Sequence, residues 1–187
     1  MISTSNFKNG LTIELEGNVM QIVEFLHVKP GKGSAFVRTK LKNVKTGNVV
    51  EKTFRAGEKM PQAVLDKNEY QYLYSSGTEL NLMNMSTYDQ IIIEADVLGQ
   101  DKLQYLKEND ILTILKHGEE ILGIDIPIFV ELEVTDTPPG EKGNTASGGT
   151  KPATTETGAS VQVPFFINVG DTIRIDTRTN SYLDRVK

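Results

Sequence analysis

The sequence predicts an all-β chain built from three small modules. Short period-two runs bounded by Gly, Pro and Asn recur along its 187 residues, only one stretch has helical spacing, and one turn-and-strand pattern occurs twice. The first module opens with a strand at 11–15, a Gly17-Asn18 turn, a strand at 19–28, the loop 29–34 and a strand at 35–44. A turn at Thr46-Gly47-Asn48 leads into a strand at 49–54, and four strands at this spacing predict a small barrel. The second module repeats the style with strands at 70–74, 79–83, 91–94, 111–115 and 120–124, the last pair joined at His117-Gly118-Glu119. Residues 96–106 carry the one helical pattern, weakened by Gly99. Strands at 129–135, 160–167 and 172–176 follow.

Between the first two of these lies 138–158, rich in Gly, Thr, Pro and Ser. Such composition reads either as a flexible linker or as a functional loop, and both readings stand at this point. The repeated pattern is Asn109-Asp110-Ile111-Leu112-Thr113-Ile114 against Gly170-Asp171-Thr172-Ile173-Arg174-Ile175, which predicts a shared fold for the second and third modules. The domains expected are 1–63, 64–128 and 129–187. Modules of roughly 60 residues bury little of their surface alone, so their packing on neighbours should matter.

Composition narrows the function. The chain is 38% hydrophobic and 24% charged with a net charge of −5 and no Cys or Trp, which excludes collagen-like, disulfide-stapled and wholly disordered chains. Without cysteine there is no thiolate nucleophile and no cysteine-held zinc. No apolar run approaches the roughly 18 residues of a membrane span, and the N-terminus lacks a secretory pattern, so a cytoplasmic address with no membrane partner is expected. The charge is uneven. Residues 1–63 hold ten Lys and Arg against five Asp and Glu, whereas residues 64–128 hold four against twelve. A polyanion-binding head on an acidic body reads this way, and so does chance clustering.

Chemistry is sparse. The two histidines, His27 at a strand end and His117 in a hairpin turn, cannot build a metal set, and no nucleophile elbow occurs. Residues 143–150 imitate a phosphate-binding loop, but Gly149 stands where the lysine is needed and no helix follows. Glu119 and Glu120 are consecutive on a hairpin, point to opposite faces, and make no acid–base pair. No catalytic residue, metal or cofactor is therefore assigned.

The basic module is more informative. Phe36, Arg38, Lys40 and Lys42 fall on one face of a strand, a stripe that could follow a phosphate backbone or be a solvated face. In the loop before it, Gly31 and Gly33 flank Lys32 while Pro30 limits φ, so the lysine is lifted to a tip; an ordinary hairpin lysine would look similar.

The run 27–38, His-Val-Lys-Pro-Gly-Lys-Gly-Ser-Ala-Phe-Val-Arg, resembles the tip loop of the bacterial translation elongation factor P family. Glu51 to Arg55, Tyr72-Leu73-Tyr74, and Met83 to Gln90 resemble its first and second domains. Lys151-Pro152-Ala153, Gly158, Val161, Val163-Pro164, Ile167, Gly170-Asp171, Ile173 and Ile175 to Arg178 fall at the spacing of its third. The resemblance implies an L-shaped arrangement of an SH3-like (KOW-like) barrel followed by two OB-fold barrels. It implies a monomeric, non-enzymatic factor that binds both ribosomal subunits between the peptidyl-tRNA and exit sites and relieves stalling at consecutive prolines.

By the same resemblance, Lys32 is the tip residue that reaches toward peptidyl-tRNA and the site a lysine-modifying enzyme would act on. Pro30, Gly31, Gly33 and Ser34 form its loop, and Lys29, Arg38, Lys40 and Lys42 are candidate RNA contacts. The family's Gly-Asp-Thr triplet, which faces messenger RNA in the exit site, reads Gly143-Asn144-Thr145 here. Asparagine keeps a carbonyl acceptor, gains amide donors and loses the charge. The alternative function is a general RNA-binding OB-fold protein using the basic stripe.

Overall fold

The computed structural model describes residues 1–140 and 149–187. In the first part of the chain, β1 (Ile2–Ser3) pairs with β6 (Lys59–Met60), and β2 (Thr12–Leu15), β3 (Asn18–Val28), β4 (Phe36–Asn43) and β5 (Val49–Arg55) form an antiparallel sheet in chain order. Alternation does the sorting: Val37, Thr39 and Leu41 of β4 are buried while Arg38 and Lys42 are exposed. Ile13, Ile22, Val37, Leu41 and Phe54 build the core, and Phe7 closes it with edge-on contacts to Phe25 and Phe54 at 6.3 and 5.8 Å.

The middle of the chain holds β7 (Asp66–Ser76), β8 (Glu79–Asn84), β9 (Gln90–Glu94), β10 (Ile111–His117) and β11 (Glu120–Asp125). Its end holds β12 (Phe129–Asp136), β13 (Thr150–Thr155), β14 (Ser160–Pro164), β15 (Thr172–Asp176) and β16 (Ser181–Val186). The two five-stranded sheets run β11-β10-β7-β8-β9 and β14-β13-β12-β15-β16. Numbered from its own first strand, each has the order 3-2-1-4-5, so the echo read in the sequence reflects one topology used twice.

Three of the differences from expectation have a clear physical cause. The helix expected at 96–106 is two single turns, α1 (Ala95–Leu98) and α2 (Gln100–Leu103), broken at Gly99 with φ +86°. Strand β13 lies inside the stretch read as linker or functional loop. Its Pro152 is tolerated because β13 pairs with β12 at Thr154 and Thr155, past the proline. Strand β16 is an edge strand with mostly exposed side chains, so it lacks the alternation that marks a half-buried strand. Among the described residues, no helix is long and apolar enough to cross a membrane.

The chain packs as two compact units, Met1–Lys67 with Ile114–Ile124, and Asn68–Thr113 with Asp125–Lys187. In the first, Leu122 is buried with Val19 and Ala63, flanked by Val44, Leu65 and Leu115. The same hairpin is pinned by Lys45 to Glu120 at 2.9 Å and by His117 Nε2 at 2.9 Å from Glu14 Oε1. His117 is thus a half-buried docking residue at the end of β10 rather than a residue of the hairpin turn itself.

In the second unit, Tyr105 is 2% exposed among Val130, Leu132, Val161, Ile173 and Ile175. Its hydroxyl donates to Asn180 Oδ1 at 2.6 Å, and Asn180 Nδ2 donates to the Ser160 carbonyl at 2.9 Å. Burial, and then Asp101, raise the phenol's pKa and keep it a neutral donor. Glu156 ties the same regions: its Oε1 accepts from the Glu133 amide at 3.0 Å and from Lys107 Nζ at 3.0 Å. The Glu133 bond, opposed by desolvation and aided by Lys107, holds its carboxyl below the usual range.

Tyr105→Phe should cost about 1 kcal/mol and Tyr105→Ala about 3–5 kcal/mol, read by urea unfolding. The Glu156 carboxylate is bound more tightly folded than unfolded, so its contribution is present above the unfolded pKa and disappears as pH falls through the lowered folded value. Glu156→Gln should therefore lower stability at neutral pH by less than about 1 kcal/mol. It should also flatten the acid limb of the stability curve, which a urea titration at several pH values would measure.

Candidate functional site

The tip loop leaves β3 at Val28 and re-enters β4 at Phe36, whose Cα atoms face each other in register. Lys29, Gly31, Lys32, Gly33 and Ser34 are exposed and Pro30 is half-buried. Gly33 has φ +104°, a left-handed conformation that side chains with a Cβ resist. Two ladder strands therefore hold the loop at its base, and a glycine turns it just after the lysine. Among the described residues, Lys32 has no hydrogen-bond or ion-pair partner, which leaves its ammonium available to whatever meets the tip.

The stripe is on one face, as alternation requires. Across the sheet, Leu26, Arg38 and Thr53 are in register, as are Glu24, Lys40 and Glu51. Lys40 Nζ sits 3.2 Å from Glu24 Oε2, so the middle cation lies between carboxylate-bearing neighbours. Among the described residues, Arg38 and Lys42 are exposed with no side-chain hydrogen-bond or ion-pair partner. Arg55 was missed by the sequence reading: it pairs in register with Phe36 at the tip end of the same face. The burial of Phe54 next to it was the available signal, since the following residue must point outward.

His27 is exposed with its ring edge-on to Phe25 at 5.7 Å, consistent with a strand-end side chain. Gly143, Asn144 and Thr145 lie outside the described residues. Among the described residues, no group of three or more His, Asp or Glu is placed to hold a metal ion.

A small antiparallel sheet that carries an exposed lysine on its tip loop is thus followed along the chain by two five-stranded sheets of one shared topology. Residues 3–60 match the elongation factor P KOW-like domain, 65–124 its OB domain and 130–185 its C-terminal domain. Elongation factor P of Pelotomaculum thermopropionicum is 61% identical over 186 residues, covering 100% of both chains. That of Natranaerobius thermophilus is 58% identical over 187 residues, covering 100% of this chain and 99% of the relative. Translation initiation factor 5A from Methanococcus jannaschii superposes with a TM-score of 0.53 at 18% identity, over 67% of this chain and 93% of its own. A factor 5A family protein from Naegleria fowleri gives 0.55 at 17% identity, over 67% and 96%. These two likenesses speak to the fold. The chain belongs to the elongation factor P family; it is a translation factor and not an enzyme.

Gly33→Val should strain the turn and cost about 1–2 kcal/mol, seen as a lower urea midpoint with an unchanged slope.

Proposed function

We propose that the chain binds the ribosome between the peptidyl-tRNA and exit sites. There Lys32 reaches toward the acceptor end of peptidyl-tRNA and supports peptide-bond formation at consecutive prolines. The observation that carries this reading is Lys32, exposed and without a partner among the described residues, on a loop based on two ladder strands. Proline is a conformationally restricted reactant, so holding the tRNA end in a reactive geometry lowers the barrier by positioning alone. No proton transfer by the factor is needed.

Lys29, Arg38 and Lys42 have no carboxylate partner among the described residues and are available to meet RNA phosphates, and Lys40 contributes less because Glu24 holds it. Gly143, Asn144 and Thr145 face the messenger in the exit site, where the Asn144 amide offers an acceptor without a carboxylate's charge. The chain works as a cytoplasmic monomer whose domains are 1–63, 64–128 and 129–187, and a lysine-modifying enzyme extends the reach of Lys32.

Lys32→Ala should slow synthesis through a polyproline reporter about tenfold or more while leaving ribosome affinity within about threefold of the parent. Parental speed with binding intact would refute the role of the tip. Binding to isolated RNA as tight as to ribosomes, with a steep salt dependence, would favour a general RNA binder. A fragment mass spectrum of the Lys32 peptide from the native source reads its modification directly.

A further inference from the structure

The second compact unit holds an open cleft of about 680 Å³ that the tip loop's role leaves unused. Ile126, Ile128 and Tyr105 give it apolar surface, and its ionisable lining is Asp101, Asp125, Lys102 and Arg178. Sites for small ligands and single residues of polymers are built in this way, with mostly apolar walls and a few polar groups. The two carboxylates balance the two cations of the lining, so the cleft suits a neutral polar ligand better than a polyphosphate or a polyamine.

One wall is fixed before any ligand arrives. Thr177 Oγ1 donates to the Pro127 and Ile128 carbonyls at 2.8 and 3.0 Å, and Asn180 is held between Tyr105 and Ser160. Between these anchors the nearly buried Asp176 grips the Arg178 guanidinium twice, accepting from Nε at 3.1 Å and from Nη2 at 2.8 Å. The guanidinium carbon stands 5.8 Å from the centre of the Phe129 ring, and Arg178 lines the cleft whereas Phe129 does not. A planar group held this way loses little further freedom when something stacks on it. Unpaired RNA bases are bound by stacking on guanidinium planes and by hydrogen bonds to their Watson–Crick edges. The carboxylates of Asp101 and Asp125 are exposed and, among the described residues, have no hydrogen-bond or ion-pair partner. An ionised carboxylate only accepts, so it selects a base that offers adjacent donors. Among the four RNA bases guanine alone does so, with N1–H beside N2–H, and the pair of charge-assisted bonds is bidentate.

We propose that this cleft takes an unpaired guanine of an RNA strand, stacked on Arg178 and held along its Watson–Crick edge by Asp125. The assignment deepens the ribosome-binding reading given above and rests on it. A free nucleotide fits less well, because its phosphates meet no uncommitted pair of cations: Asp176 holds Arg178, and Lys102 is already engaged.

The test titrates full-length factor with a uridine hexamer and with the same hexamer carrying one central guanine, read by backbone amide NMR shifts. The guanine hexamer should bind about fivefold or more tightly, with saturable shifts at residues 101–105, 125–128 and 177–180. Asp125→Asn, which replaces one acceptor by donors at an exposed position, should abolish the preference. Arg178→Lys, which keeps the charge and loses the plane, should weaken both hexamers. Equal affinity for the two hexamers, or shifts confined to other residues, overturns the site. Guanosine monophosphate bound as tightly as the guanine hexamer overturns the RNA assignment in favour of a free nucleotide, and an oligolysine peptide bound more tightly than either does so in favour of a basic protein. In a polyproline reporter, Asp125→Asn should raise the half-saturating factor concentration about threefold. A parental value there refutes use of the cleft on the ribosome, whereas a parent factor that fails to engage ribosomes overturns the underlying reading instead. Melting curves confirm folding, and Asp125→Asn alone carries the test should Arg178→Lys loosen its turn.

Discussion

Barrels this small bury only a modest share of their surface alone, and the cores of the structure are organised around that constraint. Tyr105 shows the remedy most clearly. It follows the short turn α2, yet its ring is sealed among Val130, Leu132, Val161, Ile173 and Ile175, and its hydroxyl bonds Asn180. A residue from the middle of the chain thereby completes the core of the last sheet. The first unit uses the same device with Leu122, which the β10–β11 hairpin inserts beside Val19 and Ala63. Each core is finished by a residue distant in sequence, so the modules read from the sequence are less independent than their length and repeated topology suggest.

The legibility of each element in the sequence follows from the same physics. Strand β4 was readable because one face is buried and the other wet, which forces Val37, Thr39 and Leu41 to alternate with Arg38, Lys40 and Lys42. The tip loop was readable because Pro and Gly punctuate backbones locally, without help from tertiary contacts. Strand β13 was not, since its proline and threonines carry turn signals and only its pairing partners make it a strand. The helix at 96–106 failed for the opposite reason: the apolar spacing was real, but Leu98 and Tyr105 are buried by turns on either side of Gly99 rather than by one helix. Docking of His117 onto Glu14 joins residues about a hundred positions apart, and no local pattern announces it.

Charge shows a similar gap between one strand and a sheet. Along β4 the cations read as a continuous stripe, but a sheet has neighbours on both sides, and the strands flanking Lys40 place Glu24 and Glu51 in register with it. The middle of the stripe is therefore largely neutralised. Towards the tip the register neighbours change to Leu26 and Thr53 around Arg38, and Val28 and Arg55 around Phe36. Arg38 and Arg55 therefore stand towards the loop end of the face without a carboxylate in register beside them, and Lys42 does so at the other end. The excess of cations in the first 63 residues matters less for RNA contact than where the carboxylates leave them unpaired.

A factor that acts by positioning places its demands on backbone geometry more than on acid–base chemistry. Its useful groups must be presented at fixed places, because a misplacement of about 1 Å forfeits much of the gain from orienting a reactant. Regular β-ladders supply such places where a loop leaves two paired strands, as the tip does between Val28 and Phe36. Between β12 and β13 the ladder is less regular, with a register shift between Val134 and Asp136. A side chain adds to the pairing there: the buried Lys151 ammonium donates to the Pro138 carbonyl at 2.7 Å and ties β13 to the chain that follows β12. That bond also offsets part of the cost of burying the charge.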